Sequence, residues 1–206
     1  MKVKICGMKY PDNIAEILAL SPDFIGMIFY EKSPRFVGND VQIPLTKNLG
    51  NIGKVGVFVN EEENIIRKIV SFYNLNFVQL HGNESPDFCR KIQKMGVKVI
   101  KAFSIQFPSD FTQTEPYEGV CDYFLFDTKT EYYGGSGEKF DWDILSDYKG
   151  VTCFILSGGI TKEDAQSIKK IQHNKLFAID INSRFETAPA QKDVNLLRQF
   201  LQEIRS

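Results

Sequence analysis

Histidine and cysteine are scarce in this sequence, and their scarcity removes whole classes of chemistry. Only His81 and His173 occur among 206 residues, so a multi-histidine metal centre is excluded and a Ser-His-Asp triad has few ways to form. Cys6, Cys89, Cys121 and Cys153 include no Cys-x-x-Cys pair of the kind that binds zinc or exchanges disulfides, and they are expected to be independent thiols. Basic charge is not in excess either: 25 Lys and Arg stand against 26 Asp and Glu, a net charge of -1, so nucleic acid is not an expected partner. No apolar run approaches the roughly 20 residues of a membrane span. Residues 1–8 carry Lys2, Lys4 and Gly7 and are followed by no apolar stretch of signal-peptide length. The expectation is a cytoplasmic protein that meets neither membrane nor nucleic acid.

What is present is a chain of ordinary apolar content, 43%, long enough for one sizeable core. No Pro/Gly/Ser-rich linker, charge block or low-complexity tract divides it, so residues 1–206 are read as one domain. Eight short runs rich in Val, Ile and Phe recur at 2–6, 24–30, 54–59, 77–81, 98–103, 123–127, 152–157 and 176–181. Runs such as Phe24-Ile25-Gly26-Met27-Ile28-Phe29 are apolar at nearly every position, which suits parallel strands covered on both faces. Helical periodicity lies between them at 11–20, 61–72, 84–95, 142–148, 162–171 and 193–204, with weaker helices around 40–48 and 108–116.

Eight strand–helix alternations can close into a (β/α)₈ barrel or remain an open, doubly wound sheet. The dinucleotide fingerprint Gly-x-Gly-x-x-Gly is absent after the first strand, where the chain reads Cys6-Gly7-Met8-Lys9-Tyr10-Pro11. If the sheet closes, the strand C-termini form one site and should be read together. Cys6 ends the first strand and is either a small buried apolar residue or a thiol with a task. Asp127 ends Phe124-Leu125-Phe126 and is either a solvated strand end or an acid in a pocket. Arg35, after Ser33-Pro34, is a surface arginine or a guanidinium fork for a carboxylate. His81 is the weakest candidate, because a strand-end histidine is more often a hydrogen-bonded structural group.

Two loops invite an anion. Ser157-Gly158-Gly159-Ile160 leads into a helix start at Thr161, and Asp180-Ile181-Asn182-Ser183-Arg184 offers a hydroxyl, amides and a positive charge. Loops after strands seven and eight are the recurrent phosphate site of barrels, although two ordinary glycine turns would read the same way. Tyr132-Tyr133-Gly134-Gly135-Ser136-Gly137, within 129–141, reads as a flap or a plain loop, and it does not align with a P-loop.

Taken together, these strand ends resemble the phosphoribosylanthranilate isomerase family. The matching pieces are Lys4-Ile5-Cys6-Gly7, Ser33-Pro34-Arg35, Gln79-Leu80-His81-Gly82, Phe126-Asp127, Gly134-Gly135-Ser136-Gly137 with Phe140-Asp141-Trp142, and Leu156-Ser157-Gly158-Gly159. They occur in family order and span almost the whole chain. The resemblance implies a closed (β/α)₈ barrel and a cofactor-free Amadori rearrangement of a small-molecule substrate, N-(5-phosphoribosyl)anthranilate, in tryptophan biosynthesis. By family analogy Asp127 is the acid, Cys6 the base, and Arg35 the holder of the anthranilate carboxylate. His81, Gly158, Gly159, Asp180, Asn182, Ser183 and Arg184 then bind the substrate, and the protein is a monomer or homodimer.

Asn182-Ser183-Arg184-Phe185-Glu186 departs from the family's usual pattern, with Arg184 in place of a small residue. Two competitors remain. One is another sugar-phosphate barrel such as an indole-glycerol-phosphate synthase, which would use lysine and glutamate and for which Lys4 and Lys101 lie in strands. The other is a silent barrel that only binds a phosphorylated metabolite, which would need neither Cys6 nor Asp127.

Overall fold

The computed structural model describes residues 1–38, 49–128 and 141–206. The helix expected around 40–48 and the glycine-rich segment 129–140 lie outside the described residues. Eight parallel strands, β1 (Lys2–Ile5), β2 (Phe24–Ile28), β3 (Gly53–Phe58), β4 (Phe77–Leu80), β5 (Lys98–Ile105), β6 (Tyr123–Thr128), β7 (Phe154–Leu156) and β8 (Leu176–Ile181), pair in sequence order. β8 pairs with β1, with Lys4 opposite Asp180 and Ile5 opposite Ile181, and this pairing closes the barrel. Closure decides the choice between barrel and open sheet that the alternation pattern left open, and it removes both sheet edges.

Around the barrel run α1 (Pro11–Leu18), α2 (Glu63–Tyr73), α3 (Pro86–Gln93), α4 (Ala165–Lys170) and α5 (Val194–Arg205). α3 starts where Ser85 caps it, its Oγ accepting from Phe88 N at 3.2 Å, with Pro86 at the first helical position where its missing N–H costs nothing. α5 buries Leu197, Phe200, Leu201 and Ile204, the i, i+3, i+4, i+7 stripe of a helix lying on a core. Asp193 caps it through Asn195 N and Leu196 N.

Three expected helices are shorter or tighter. Pro108–Tyr117 and Trp142–Asp147 are 3₁₀ helices, and the span expected at 162–171 is a 3₁₀ turn, Lys162–Asp164, followed by the six-residue α4. In the first, Phe111 and Thr114 are the buried positions. Their spacing of three matches the 3₁₀ period, and Pro116 lacks the N–H an α-helix would use. The sequence pattern also missed a hairpin after β8, β9 (Glu186–Ala188) with β10 (Gln191–Lys192), which is too short to show alternation.

Side chains alternate across each strand. Outward residues such as Val3, Val78, Phe124 and Ile179 pack beneath the helices, and inward residues such as Val55, Ile100, Leu125 and Ile155 fill the barrel. Phe24, Phe77, Tyr123 and Phe177, all at strand starts, contact one another; Phe24 meets Phe77 edge-on at 5.3 Å and Tyr123 stacks on Phe177 at 4.3 Å. This aromatic layer plugs the N-terminal mouth, so inward polar residues gather at the C-terminal mouth.

Candidate active site

One cavity opens at the C-terminal mouth. Cys6, His81, Asp127, Gly158, Gly159, Asp180, Asn182, Ser183 and Arg184 all line it, together with Gln79 and Ser157. Nine of the ten residues proposed from sequence thus come together. The exception is Arg35, which stands beside the cavity.

Cys6 follows β1 directly and is held by Cys6 N donating to Ile181 O at 2.9 Å. On the same inward face, Lys4 is fully buried and its Nζ lies 3.0 Å from Asp180 Oδ2. Asp180 Oδ1 is buried with no partner among the described residues, so one carboxylate oxygen is held by Lys4 and the other is unsatisfied beneath the cavity wall. Burial pushes the Asp180 carboxyl above the usual carboxylate range against the pull of Lys4, and burial likewise pushes the Cys6 thiol up.

Across the cavity, Asp127 sits where β6 ends. Thr128 N donates to its Oδ1 at 2.9 Å, and Oδ2 lies 3.4 Å from His81 Nε2. Gln79 Nε2 lies 2.8 Å from His81 Nδ1; with the amide assigned as the donor, the ring carries its hydrogen on Nε2, toward Asp127. Gly158 closes over this corner with φ +93, and a Cβ there would lie 2.7 Å from Thr128 N and 3.0 Å from Asp127 Oδ1. Only glycine permits both that backbone angle and that approach.

The helix start proposed to aid the anion after β7 is not a continuous α-helix. Thr161 N instead donates to Asp164 Oδ2 at 2.7 Å within the 3₁₀ turn. The anion-friendly feature is therefore the loop itself, Ser157 to Ile160, facing Ser183 and the exposed Arg184 across the cavity.

Arg35 is differently placed from the sequence expectation. Its Nε and Nη2 already grip Glu186, with Nη2 2.7 Å from Oε2 and Nε 3.0 Å from Oε1. The two-point face foreseen for a substrate carboxylate is thus occupied by an internal one. Glu186 also takes Lys192 Nζ at 2.7 Å, and the same Nζ donates to Asn182 Oδ1 at 2.7 Å. Neither Glu186 nor Lys192 was proposed from sequence, because the hairpin that delivers them has no strand pattern.

Glu186 is pushed up by burial, but Arg35 and Lys192 outweigh this and hold it below the usual carboxylate range. A depressed folded pKa contributes stability that is complete above the unfolded value, about 4.3, and is lost as pH falls through the folded value. Glu186→Gln is therefore expected to remove part of the acid sensitivity. Thermal unfolding midpoints between roughly pH 3 and 5 should change less steeply than in the parent, and an unchanged slope would contradict the pairing.

A second support lies outside the barrel wall. Lys101 Nζ donates to Leu80 O at 3.3 Å and Gly82 O at 2.7 Å, the carbonyls on either side of His81, and lies 3.3 Å from Glu84 Oε2. Lys101 thus faces outward and holds the loop that carries His81. Of the two strand lysines open to the synthase reading, Lys101 therefore faces away from the cavity, and Lys4 faces inward but is fully buried against Asp180.

A closed parallel barrel with a thiol, carboxylates and a histidine at its strand C-termini, and glycine and serine loops after strands seven and eight, defines the class of (β/α)₈-barrel enzymes. Comparison with known proteins narrows the class. Residues 3–203 match the family model described as N-(5'phosphoribosyl)anthranilate (PRA) isomerase. The N-(5'-phosphoribosyl)anthranilate isomerase of Parabacteroides distasonis is 49% identical over 207 residues, 99% of this chain and 93% of that protein. The crystal structure of phosphoribosyl anthranilate isomerase from Thermotoga maritima superposes with a TM-score of 0.86 at 33% identity, covering 100% of this chain and 98% of that one. A phosphoribosyl anthranilate isomerase in complex with reduced 1-(o-carboxyphenylamino)-1-deoxyribulose 5-phosphate matches at a TM-score of 0.86 and 30% identity, with coverage of 100% and 98%. The chain belongs to the N-(5'-phosphoribosyl)anthranilate isomerase family.

Proposed function

We propose that this chain isomerises N-(5-phosphoribosyl)anthranilate to the 1-deoxyribulose 5-phosphate derivative, with Asp127 as general acid and Cys6 as general base. The observation that carries the assignment is the placement of these two groups on one cavity, Asp127 under Gly158 and Cys6 above Lys4. Asp127 Oδ1 is occupied by Thr128 N, so Oδ2 is the oxygen that carries the proton. That proton passes to the ring oxygen as the furanose opens and the C1–nitrogen bond becomes an iminium. His81 Nε2 then faces the carboxylate left behind. Cys6 takes the proton from C2, giving an enolamine. This becomes the aminoketose when C1 gains a proton and the C2 hydroxyl loses one, so the reaction balances with no oxidant and no cofactor.

In the same reading the phosphate lies between the Ser157–Ile160 loop and Ser183 with Arg184, and Asp180 lines the part of the cavity that takes the sugar. Asn182 shapes the wall beside it, and Arg35 reaches the anthranilate carboxylate with the part of its guanidinium that Glu186 leaves over. Fixing both ends of the substrate sets the sugar between acid and base. The net charge of -1 suits an enzyme that meets neither nucleic acid nor membrane, and among the described residues no helix is long and apolar enough to cross a membrane. We read it as a cytoplasmic enzyme working as a monomer or homodimer.

Turnover of freshly prepared phosphoribosylanthranilate, followed by loss of its fluorescence, tests the proposal. No turnover by folded protein that still binds a product analogue would leave only a binding barrel. Arg184 offers a finer test. Arg184→Ala is expected to weaken phosphorylated ligands by about 1.5–3 kcal/mol, the scale of a charge-assisted hydrogen bond, and to flatten their salt dependence. Inhibition by inorganic phosphate measures this without involving Arg35, and unchanged inhibition would leave the phosphate to backbone amides.

A further inference from the structure

We propose that Lys4 is a positioning residue that acts through Cys6: its ammonium, anchored inside the barrel by Asp180, is the counter-charge against which the Cys6 thiolate forms. The inference rests on the reading of Cys6 as the base. Lys4 and Cys6 lie two residues apart at β1 and share its inward face, while β8 brings Asp180 into register directly opposite Lys4. Lys4 Nζ sits 3.0 Å from Asp180 Oδ2, and both side chains are almost wholly buried. Gly26 on β2 shows how closely the thiol and the end of the lysine chain are packed. A Cβ at that position would meet Cys6 Sγ at 2.8 Å and Lys4 Cε at 3.1 Å, so the two side chains converge on the space a side chain would otherwise take.

An ammonium with no access to water is costly unless paired, and Asp180 engages it through Oδ2 alone. The groups that face the thiol come from three elements. Lys4 on β1 and Lys192 on β10 favour its ionised form, and Asp180 on β8 opposes it. Asp127 and His81, across the cavity, act on Asp180 in opposite directions. Burial is the largest influence on Cys6 and disfavours the thiolate, and Lys4 is the strongest group working against it. The ammonium itself is disfavoured by burial, but Asp180 and Cys6 outweigh this and keep Lys4 above its ordinary range. In the resting enzyme the thiol proton leaves to solvent and the thiolate stays against Lys4. The proton later taken from C2 restores the thiol, and Lys4 keeps all its protons throughout. Lys4 touches neither substrate nor reacting carbon.

The test is the rate at which iodoacetamide alkylates Cys6 as a function of pH, read without substrate by mass spectrometry of the Cys6 peptide so that the other three cysteines do not contribute. In Lys4→Met the midpoint is expected to move up, and the rate near pH 8 to fall by roughly tenfold or more, as for a thiolate that has lost an adjacent cation. A profile that superimposes on the parent's overturns the proposal. Should Lys4→Met not fold, Lys4→Gln, which can still donate to Asp180 without carrying a charge, gives the same displacement. The midpoint should again move up, because the adjacent positive charge is lost, and a midpoint unchanged from the parent's overturns the proposal equally. Because no turnover is involved, failure of the base assignment is seen separately, as retained activity in a Cys6→Ala enzyme, and leaves the alkylation result to judge the thiolate–ammonium pair alone.

Discussion

Replacing Asp127 by Asn should lower kcat by roughly two to four orders of magnitude, the usual consequence of removing a general acid, while a product analogue continues to bind. The substitution is nearly isosteric, and Thr128 N can still donate to the amide oxygen in the place of Oδ1. The loss would therefore report the missing proton donor and not a collapsed loop. Single-turnover ring opening is the step to measure. Near-normal rates would remove Asp127 from the acid role and direct attention to His81, 3.4 Å away.

Cys6→Ala should be comparably damaging, by about two to four orders of magnitude, because no other group on the inward face of β1 or β2 can accept the C2 proton: Gly26 has no side chain and Lys4 stays charged. Cys6→Ser is a sharper variant. A serine hydroxyl fits the same space but is a far weaker acid than a thiol, so it cannot supply the anion at neutral pH. Retention of the C2 hydrogen isotope effect at parental rates in either variant would rule out proton abstraction by Cys6. If Cys6→Ser alone were active, the site would be using the hydroxyl geometry and not an ionised sulfur.

Several parts of the molecule were open to a reader of the sequence. The eight apolar runs correspond to the eight strands, because a parallel strand covered on both faces must be apolar nearly throughout, and β3 is buried from Gly53 to Phe58. Strand ends were legible for a related reason: a Cys, His or Asp that interrupts an apolar run marks where the strand leaves the core. Helix starts with Pro or Ser were equally readable, as at Ser85-Pro86. The 3₁₀ stretches were not, because segments with a proline or a single buried residue lack a periodicity that separates them from a short α-helix.

The site shows the same division. Cys6, His81, Asp127 and the Gly158-Gly159 pair could be nominated from the residues that precede and follow them, since each depends on its own strand end. Lys192 and Glu186 could not, because what gives them meaning is that a short hairpin brings them against Asn182 and Arg35, with Arg35 and Glu186 151 positions apart in the chain. Arg35 was read as a fork for a substrate carboxylate, but which carboxylate a fork grips is a question of distance, and here it is the internal Glu186. Lys4 and Lys101 are the clearest pair. Both are lysines in apolar strands, and nothing local distinguishes them. Strand parity within a closed barrel turns Lys4 inward to Asp180 and Cys6, and turns Lys101 outward to Glu84 and the carbonyls beside His81. The sequence by itself determined which residues stand at strand ends and what chemistry they carry, because burial and periodicity act locally. Only the tertiary structure decided which of those charges meet, because ion pairing acts over a few ångströms between segments that only barrel closure brings together.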